Sequence, residues 1–419
     1  MNFLTEDINY FILFLSFLIV SEVLEVYLSI RNRACIKRNR EKVPDYFKTS
    51  IDLADHQKAA DYQMTISHYG FAFRAYGLFI LLFWTIGGYL SKLSMYSSTV
   101  TDNNYLNGSF LIASLIFINL IFSLPVSILR TFYIEEKFGF NNTTYKTFLL
   151  DKLKSLFLSF LIGLPLFLSV AYFINAFNDI WWLYSFIFFM IFQLLLLWIY
   201  PSVIAPLFNK FKKLDNPEYE KVINSLLTKI GFEAKGLFVM DGSTRSNHGN
   251  AYFTGIGKNK RIVFYDTLLS TLEPGEVESV LAHELGHYKL KHIQKGLITS
   301  TLLSFFGFYL LYVFFNIESF FIEHGLSHLT VYSKIYLFYL VIGVYSFFTT
   351  PLTSFFSRKR EFESDNYAVK HTQGKNMISA LIKLIKDNAS TLTPDRFYSS
   401  YYYSHPPANE RISNIKEQL

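Results

Sequence analysis

Long apolar runs constrain this chain more than anything else in it. Seven occur, at residues 8–30, 69–90, 110–129, 156–177, 180–203, 297–315 and 335–356. Crossing a bilayer's hydrocarbon core takes about 20 helical residues, a length each run meets or approaches closely. In lipid, a helix is one of the two structures that satisfy their own backbone polar groups. The competing reading is a very apolar soluble bundle. Composition argues against it, because 51% of the 419 residues are hydrophobic and only 17% are charged, against about 25% charged in a soluble domain. The sequence therefore predicts a mainly α, polytopic membrane protein with about seven transmembrane helices. It divides into a five-span membrane region (1–208), a hydrophilic segment (209–295), a transmembrane hairpin (296–356) and a polar tail (357–419).

The net charge of +6 is unevenly placed. Arg31, Arg33, Lys37, Arg38, Arg40, Lys42 and Lys48 follow the first run. Arg130, Lys137, Lys146, Lys152 and Lys154 follow the third, and Arg358, Lys359 and Arg360 follow the seventh. The segment after the fifth run is rich in lysine, while the loops 91–108, 178–179 and 316–334 hold only Lys92 and Lys334. Cationic loops stay on the cytoplasmic side. One topology satisfies every loop: N-terminus outside, hydrophilic segment and tail inside. The basic charge is thus an orientation signal rather than a nucleic-acid surface. The first run lacks the basic start and small-residue cleavage site of a signal peptide. Cys35 is the single cysteine, which excludes an intrachain disulfide and a thiolate metal cluster. Asn107-Gly108-Ser109 reads as an outside glycosylation sequon.

Within the hydrophilic segment, 219–231 has helical spacing, and 236–240, 250–254 and 261–265 read as short strands of a small sheet. A helix over 274–290 follows, started by Pro274 and carrying Glu276 and Glu278 at its positive dipole end. This helix holds His283-Glu284-Leu285-Gly286-His287. Histidines at i and i+4 point to one side of a helix and can grip a zinc ion. The carboxylate between them is poorly placed for the metal but can reach a water there, the layout of a metal-dependent peptide hydrolase. The bland alternative is a surface helix with two incidental histidines. A third ligand is required to leave one position open. The sixth and seventh runs form a hairpin whose inside ends are neighbours, so Glu361 and Glu363 are both candidates. Glu361 shares a helical face with Asp365, which could accept a hydrogen bond from a ligand imidazole. An ordinary charged juxtamembrane helix would show the same spacing.

Further segments share a pattern with these: 134–141 (Ile-Glu-Glu-Lys-Phe-Gly-Phe-Asn), 204–208 (Ile-Ala-Pro-Leu-Phe), Asn250-Ala251-Tyr252-Phe253, Glu361-Phe362-Glu363-Ser364-Asp365, and His405-Pro406-Pro407 through Glu410-Arg411. With the seven-run layout, the chain resembles the integral-membrane CAAX prenyl protease type I family, zinc metalloproteases that trim prenylated C-termini. The resemblance implies one Zn²⁺ per chain on His283, His287 and Glu361, rather than Glu363, with Asp365 behind a ligand. It implies that Glu284 is the general base and that His405 and Arg411 face the reacting carbonyl. It also implies that Asn250, Ala251, Tyr252 and Phe253 form an edge strand for extended substrate. The spans would enclose a water-filled intramembrane chamber, accounting for Glu22, Glu25, Arg74 and Asn119 within them. Implied partners are peptide or protein substrates, prenylated or not, and the bilayer, with the active site on the cytoplasmic side of an endoplasmic reticulum or bacterial inner membrane. Ser364 stands where the family often has alanine. A related heat-shock quality-control protease would share the zinc motif but have fewer spans and no His-Pro-Pro tail. A seven-span transporter or metal-binding receptor would not need Glu284. His56, His68, His248, His292, His324, His328 and His371 fit no metal spacing.

Overall fold

The computed structural model describes residues 8–233, 236–254 and 261–419. Among them, seven helices are long and apolar enough to cross a membrane: Tyr10–Asn39, Leu53–Trp84, Asn104–Glu135, Tyr145–Ala176, Trp181–Phe208, His292–Phe315 and Val331–His371. Their starts are written locally. Asn9, Asp52, Asn103 and Thr144 each accept a hydrogen bond from a first-turn N–H of the span they precede, satisfying donors that a helix cannot satisfy itself. Each predicted run coincides with one helix. The second differs at its end. It stops at Trp84, and a turn with Gly88 at φ 71 starts a separate short helix, Tyr89–Ser97. The third and fifth spans finish in wide turns, Arg130–Glu135 and Tyr200–Ile204.

Among the described residues two large hydrophobic cores dominate, beside a smaller cluster of Tyr62, Ile134 and Phe140. One lies at the far end of the spans, away from the hydrophilic segment. It gathers Tyr10 and Phe14 from the first span, Trp84, Leu111, Trp181 and Leu311, and closes on Phe321 and Leu337. The near core lies in and around the hydrophilic segment and includes Phe47, Ile223, Leu226, Phe264, Leu285, Ala380 and Ile412. In two spans, Leu53–Trp84 and Trp181–Phe208, none of the most apolar stretch is buried. Polar groups within the spans pair with one another: Arg74 lies 2.6 Å from Glu25, and Asn119 donates to the Tyr336 hydroxyl at 2.6 Å.

The near core supports a four-stranded sheet of order β1-β2-β4-β3. The strands are β1 (Phe211–Lys213), β2 (Gly236–Met240), β3 (Ala251–Thr254) and β4 (Arg261–Tyr265). β2 and β4 are parallel, and β1 and β3 are antiparallel to their neighbours. β1 was not legible in the sequence, its three residues being two lysines after a phenylalanine. β3 is an edge strand. The sequon fails as a glycosylation site in this fold. Asn107 is buried in the third span, its amide donating to the Thr101 carbonyl at 2.8 Å.

Candidate metal centre

The helix Pro274–Lys289 begins with a capping box between Glu273 and Glu276. Glu276 is also fixed by Lys383, 2.8 Å away. Val277, Leu281 and Leu285 are buried in the near core, so the opposite face presents the histidines. The seventh span, which continues as Thr350–His371 after a short tight turn, crosses this helix closely. A Cβ on Gly286 would lie 3.2 Å from Ser364 Cα, closer than such atoms ordinarily approach. Gly286 and small, fully buried Ser364 therefore set how near the two helices come, which brings Glu361 to the histidines.

The result is a cluster of two imidazole nitrogens and a carboxylate. His283 Nε2 and His287 Nε2 are 3.3 Å apart; His283 Nε2 lies 3.4 Å from Glu361 Oε2 and His287 Nε2 lies 3.4 Å from Glu361 Oε1. Zinc bonds of about 2.0–2.1 Å in tetrahedral geometry require ligand–ligand edges of about 3.3–3.4 Å. The imidazole pair matches that edge, and one carboxylate oxygen within 4.8 Å of both nitrogens completes a donor set that suits the metal. Glu363 is not in this group; its Oε2 lies 2.9 Å from His292 Nε2.

Supporting groups fix each ligand. His283 Nδ1–H donates to Asp365 Oδ1 at 2.9 Å. Asp365 is fully buried and receives a bidentate bond from Arg411, Nε at 2.8 Å and Nη2 at 2.6 Å. Burial opposes charge on His283, but its bonds to Asp365 and Glu361 prevail and raise its pKa to about 9. Burial likewise opposes charge on Arg411, yet Asp365 holds it more firmly protonated than usual. His405 Nδ1–H donates to Glu361 Oε2 at 2.7 Å.

His287 has a support that the sequence did not reveal. The chain leaves the histidine helix through Lys291, in the left-handed region at φ 59, and this turn brings His292 Nδ1 to 3.0 Å from His287 Nδ1. His292 Nε2 lies 2.9 Å from Glu363 Oε2. One order of hydrogens satisfies all three groups and leaves His287 Nε2 free for a metal: His287 donates to His292, and His292 donates to Glu363. His292 fits no metal spacing in the sequence, and here it stands behind His287 rather than in the candidate metal group. The only signal was a lysine-rich stretch between two helical patterns.

Glu284 opens into a cavity of about 410 Å³ that it shares with His287, Glu361, Tyr252, Phe253 and Arg360. Burial pushes its carboxyl above the ordinary range, while His283 and His287 pull the other way. A carboxyl with its pKa raised toward neutrality suits proton transfer. Of the predicted edge-strand residues, Tyr252 and Phe253 line this cavity. Ala251 is buried in the core, and Asn250 Oδ1 accepts the Ala251 N–H at 2.8 Å. The geometry gives Arg411 a first duty other than the one implied by resemblance: two of its donors are spent on Asp365.

Comparison with known proteins agrees with this geometry. Residues 32–210 match the CAAX prenyl protease N-terminal family, described as five membrane helices, and residues 213–419 match peptidase family M48. The chain belongs to the CAAX prenyl protease 1 family of M48 peptidases. It is 33% identical to the CAAX prenyl protease 1 homolog of Arabidopsis thaliana, over 95% of this chain and 96% of that one. It is 39% identical to CAAX prenyl protease 1 of Saccharomyces cerevisiae, over 70% of this chain and 68% of that one. The crystal structure of S. mikatae Ste24p superposes with a TM-score of 0.89 at 31% identity, covering 97% of this chain and 99% of that one. This M48 peptidase is therefore a multi-pass membrane metalloprotease, which removes the transporter and receptor alternatives.

Proposed function

We propose that this protein is a zinc endopeptidase that cuts near the C-terminus of CAAX-type proteins, prenylated ones included, at the cytoplasmic face of its membrane. The observation that carries the proposal is the ligand group of His283, His287 and Glu361 beside Glu284, in one cavity with edge strand β3. Zinc held there would polarise the scissile carbonyl and make a nearby water more acidic.

The chain's own residues do the rest. Extended substrate backbone pairs with the free edge of β3, as peptides add to exposed sheet edges. Glu284 takes a proton from the attacking water and passes it to the leaving amine. Asp365, gripped by Arg411, keeps His283 in the tautomer whose Nε2 binds metal, and His292 with Glu363 does the same for His287. His405 gives Nδ1–H to Glu361, so its Nε2 can donate to the developing oxyanion when the ring is cationic. A water-filled chamber between the two cores would hold the substrate, consistent with the unburied span surfaces. The basic loops favour the cytoplasmic side.

The test uses purified full-length protein, its zinc content, and matched peptides with and without a farnesyl group on a cysteine near the C-terminus. Cleavage of the farnesylated peptide at a bond beside that cysteine, lost on zinc chelation and restored by zinc, is expected. A zinc-loaded enzyme that cuts neither peptide would sink the proposal.

A further inference from the structure

A second cavity, of about 780 Å³, opens beside the metal centre between the sixth and seventh spans. It shares Gly296 and Arg360 with the cavity that holds Glu284, so the two are adjacent. Its lining carries three cations, Lys295, Lys359 and Arg360, and one carboxylate, Glu363, beside the hydroxyls of Thr299 and Ser300. Lys295 is 3.9 Å from Glu363. Arg360 donates Nε to the Phe356 carbonyl at 3.1 Å, and among the described residues neither Arg360 nor Lys359 has a carboxylate partner. Gly296 lies against the guanidinium: a Cβ there would sit 3.4 Å from Arg360 Nη1, in ordinary contact.

The cavity walls differ sharply in charge. The smaller cavity holds the carboxylates of Glu284 and Glu361, and β3 supplies Tyr252 and Phe253 to its lining. Positive charge collects where the small cavity adjoins the larger one. A peptide laid along β3 and across Glu284 would run toward Arg360. Its chain advances about 3.3–3.6 Å per residue when extended, so a short segment beyond the cut bond reaches the cations. Every such segment ends in the same anion. A guanidinium matches a carboxylate with two parallel N–H bonds.

We propose that Arg360, with Lys359 and Lys295 adding positive field, binds the free C-terminal carboxylate of the substrate and so sets the distance between chain end and cut bond. The inference rests on the peptidase reading above. It makes Arg360 a specificity residue outside the reacting atoms.

Two peptides of identical sequence, one ending in a free carboxylate and one in a carboxamide, test it on the zinc-loaded full-length enzyme in neutral detergent. Wild type is expected to prefer the carboxylate by about tenfold or more in kcat/KM, mainly through KM, the scale of one charge-assisted hydrogen bond. Arg360→Gln should bring the ratio of the two peptides close to one with zinc content retained. Arg360→Lys, which keeps the charge but not the fork, should fall between and serves if the glutamine variant does not fold. A wild-type ratio near one overturns the clamp while leaving the peptidase standing. A ratio that survives Arg360→Gln also overturns it. If phosphatidylserine vesicles stimulate wild type and Arg360→Gln loses that stimulation while the peptide ratio is unchanged, the cations serve lipid phosphate and the clamp is overturned. Equal damage to both peptides with zinc lost makes Arg360 a structural residue and overturns the clamp as well. Failure to cut either peptide by wild type removes the peptidase reading itself.

Discussion

The far core and the near core are built from different material. At the far end, aromatic side chains are far more frequent than at the near end, and Tyr10, Phe14 and Phe321 are almost wholly enclosed. Buried His324 there is satisfied locally, by the Phe320 carbonyl at 2.6 Å and the Tyr345 hydroxyl at 3.1 Å. The near core is mostly aliphatic, with Ile223, Leu226 and Leu285 fully buried, and a charged network of His283, Glu361, Asp365 and Arg411 is set into its boundary. The far core clamps the span ends together and does no chemistry. The near core spends its rigidity on ligand geometry. A span covers about 30 Å in 20 residues, and between the two ends little side-chain burial holds the helices together. Stability and reactivity are thus assigned to opposite ends of the same helices.

The sharpest break between the two ends should come from Glu284→Gln. It removes a proton acceptor without touching a ligand atom. Cleavage should fall by about 10²–10⁴-fold with zinc content and melting temperature unchanged, and near wild-type turnover in the purified variant would rule Glu284 out as the base. Arg411→Ala comes next. It leaves the buried Asp365 carboxylate without its cation, a change that typically costs about 3–5 kcal/mol. A drop in melting temperature together with weakened zinc binding is expected. A stable, zinc-replete variant with only kcat reduced would return Arg411 to the oxyanion role.

Phe321→Ala probes the other end. Emptying that site in the far core should destabilise the protein by about 3 kcal/mol, while kcat of the molecules that remain folded stays near wild type. A large kcat loss with stability intact would show that the two ends are coupled. The smallest effect belongs to His292→Ala. Losing a partner behind a ligand should weaken zinc by about 10–100-fold, read by competition with a chelator. Glu363→Gln should do the same more mildly, whereas Glu361→Ala should leave the site without tightly bound zinc. Unchanged affinity in the His292 variant would reduce the Glu363–His292–His287 chain to a bystander.

Much of this was legible in the sequence. Hydropathy over 20-residue windows reports lipid exposure directly, so the spans were readable. The i, i+4 histidines reported a shared helical face, and hairpin logic brought residue 361 beside residue 287. What stayed hidden depends on tertiary direction. The left-handed turn at Lys291 redirects His292, and no local pattern announces a positive φ on a lysine. Arg411 could be tied to the site by resemblance, but which of two carboxylates and one carbonyl it serves is decided by how the tail helix Ala408–Lys416 packs. The Asn107 sequon misled because three residues of sequence carry no information about burial.

The seventh span has a consequence in time as well as space. Val331–His371 is the last apolar helix to leave the ribosome, and Glu361 lies in its final turns. His283 and His287 are synthesised well before it, in company with Glu284, but with only two of three ligands. Arg411 and His405 emerge later still. On the proposed ligand set, a nascent chain cannot assemble its hydrolytic centre until the seventh span has been made. The proposed chemistry would then be withheld during insertion, when unfolded segments of the same polypeptide lie closest to it.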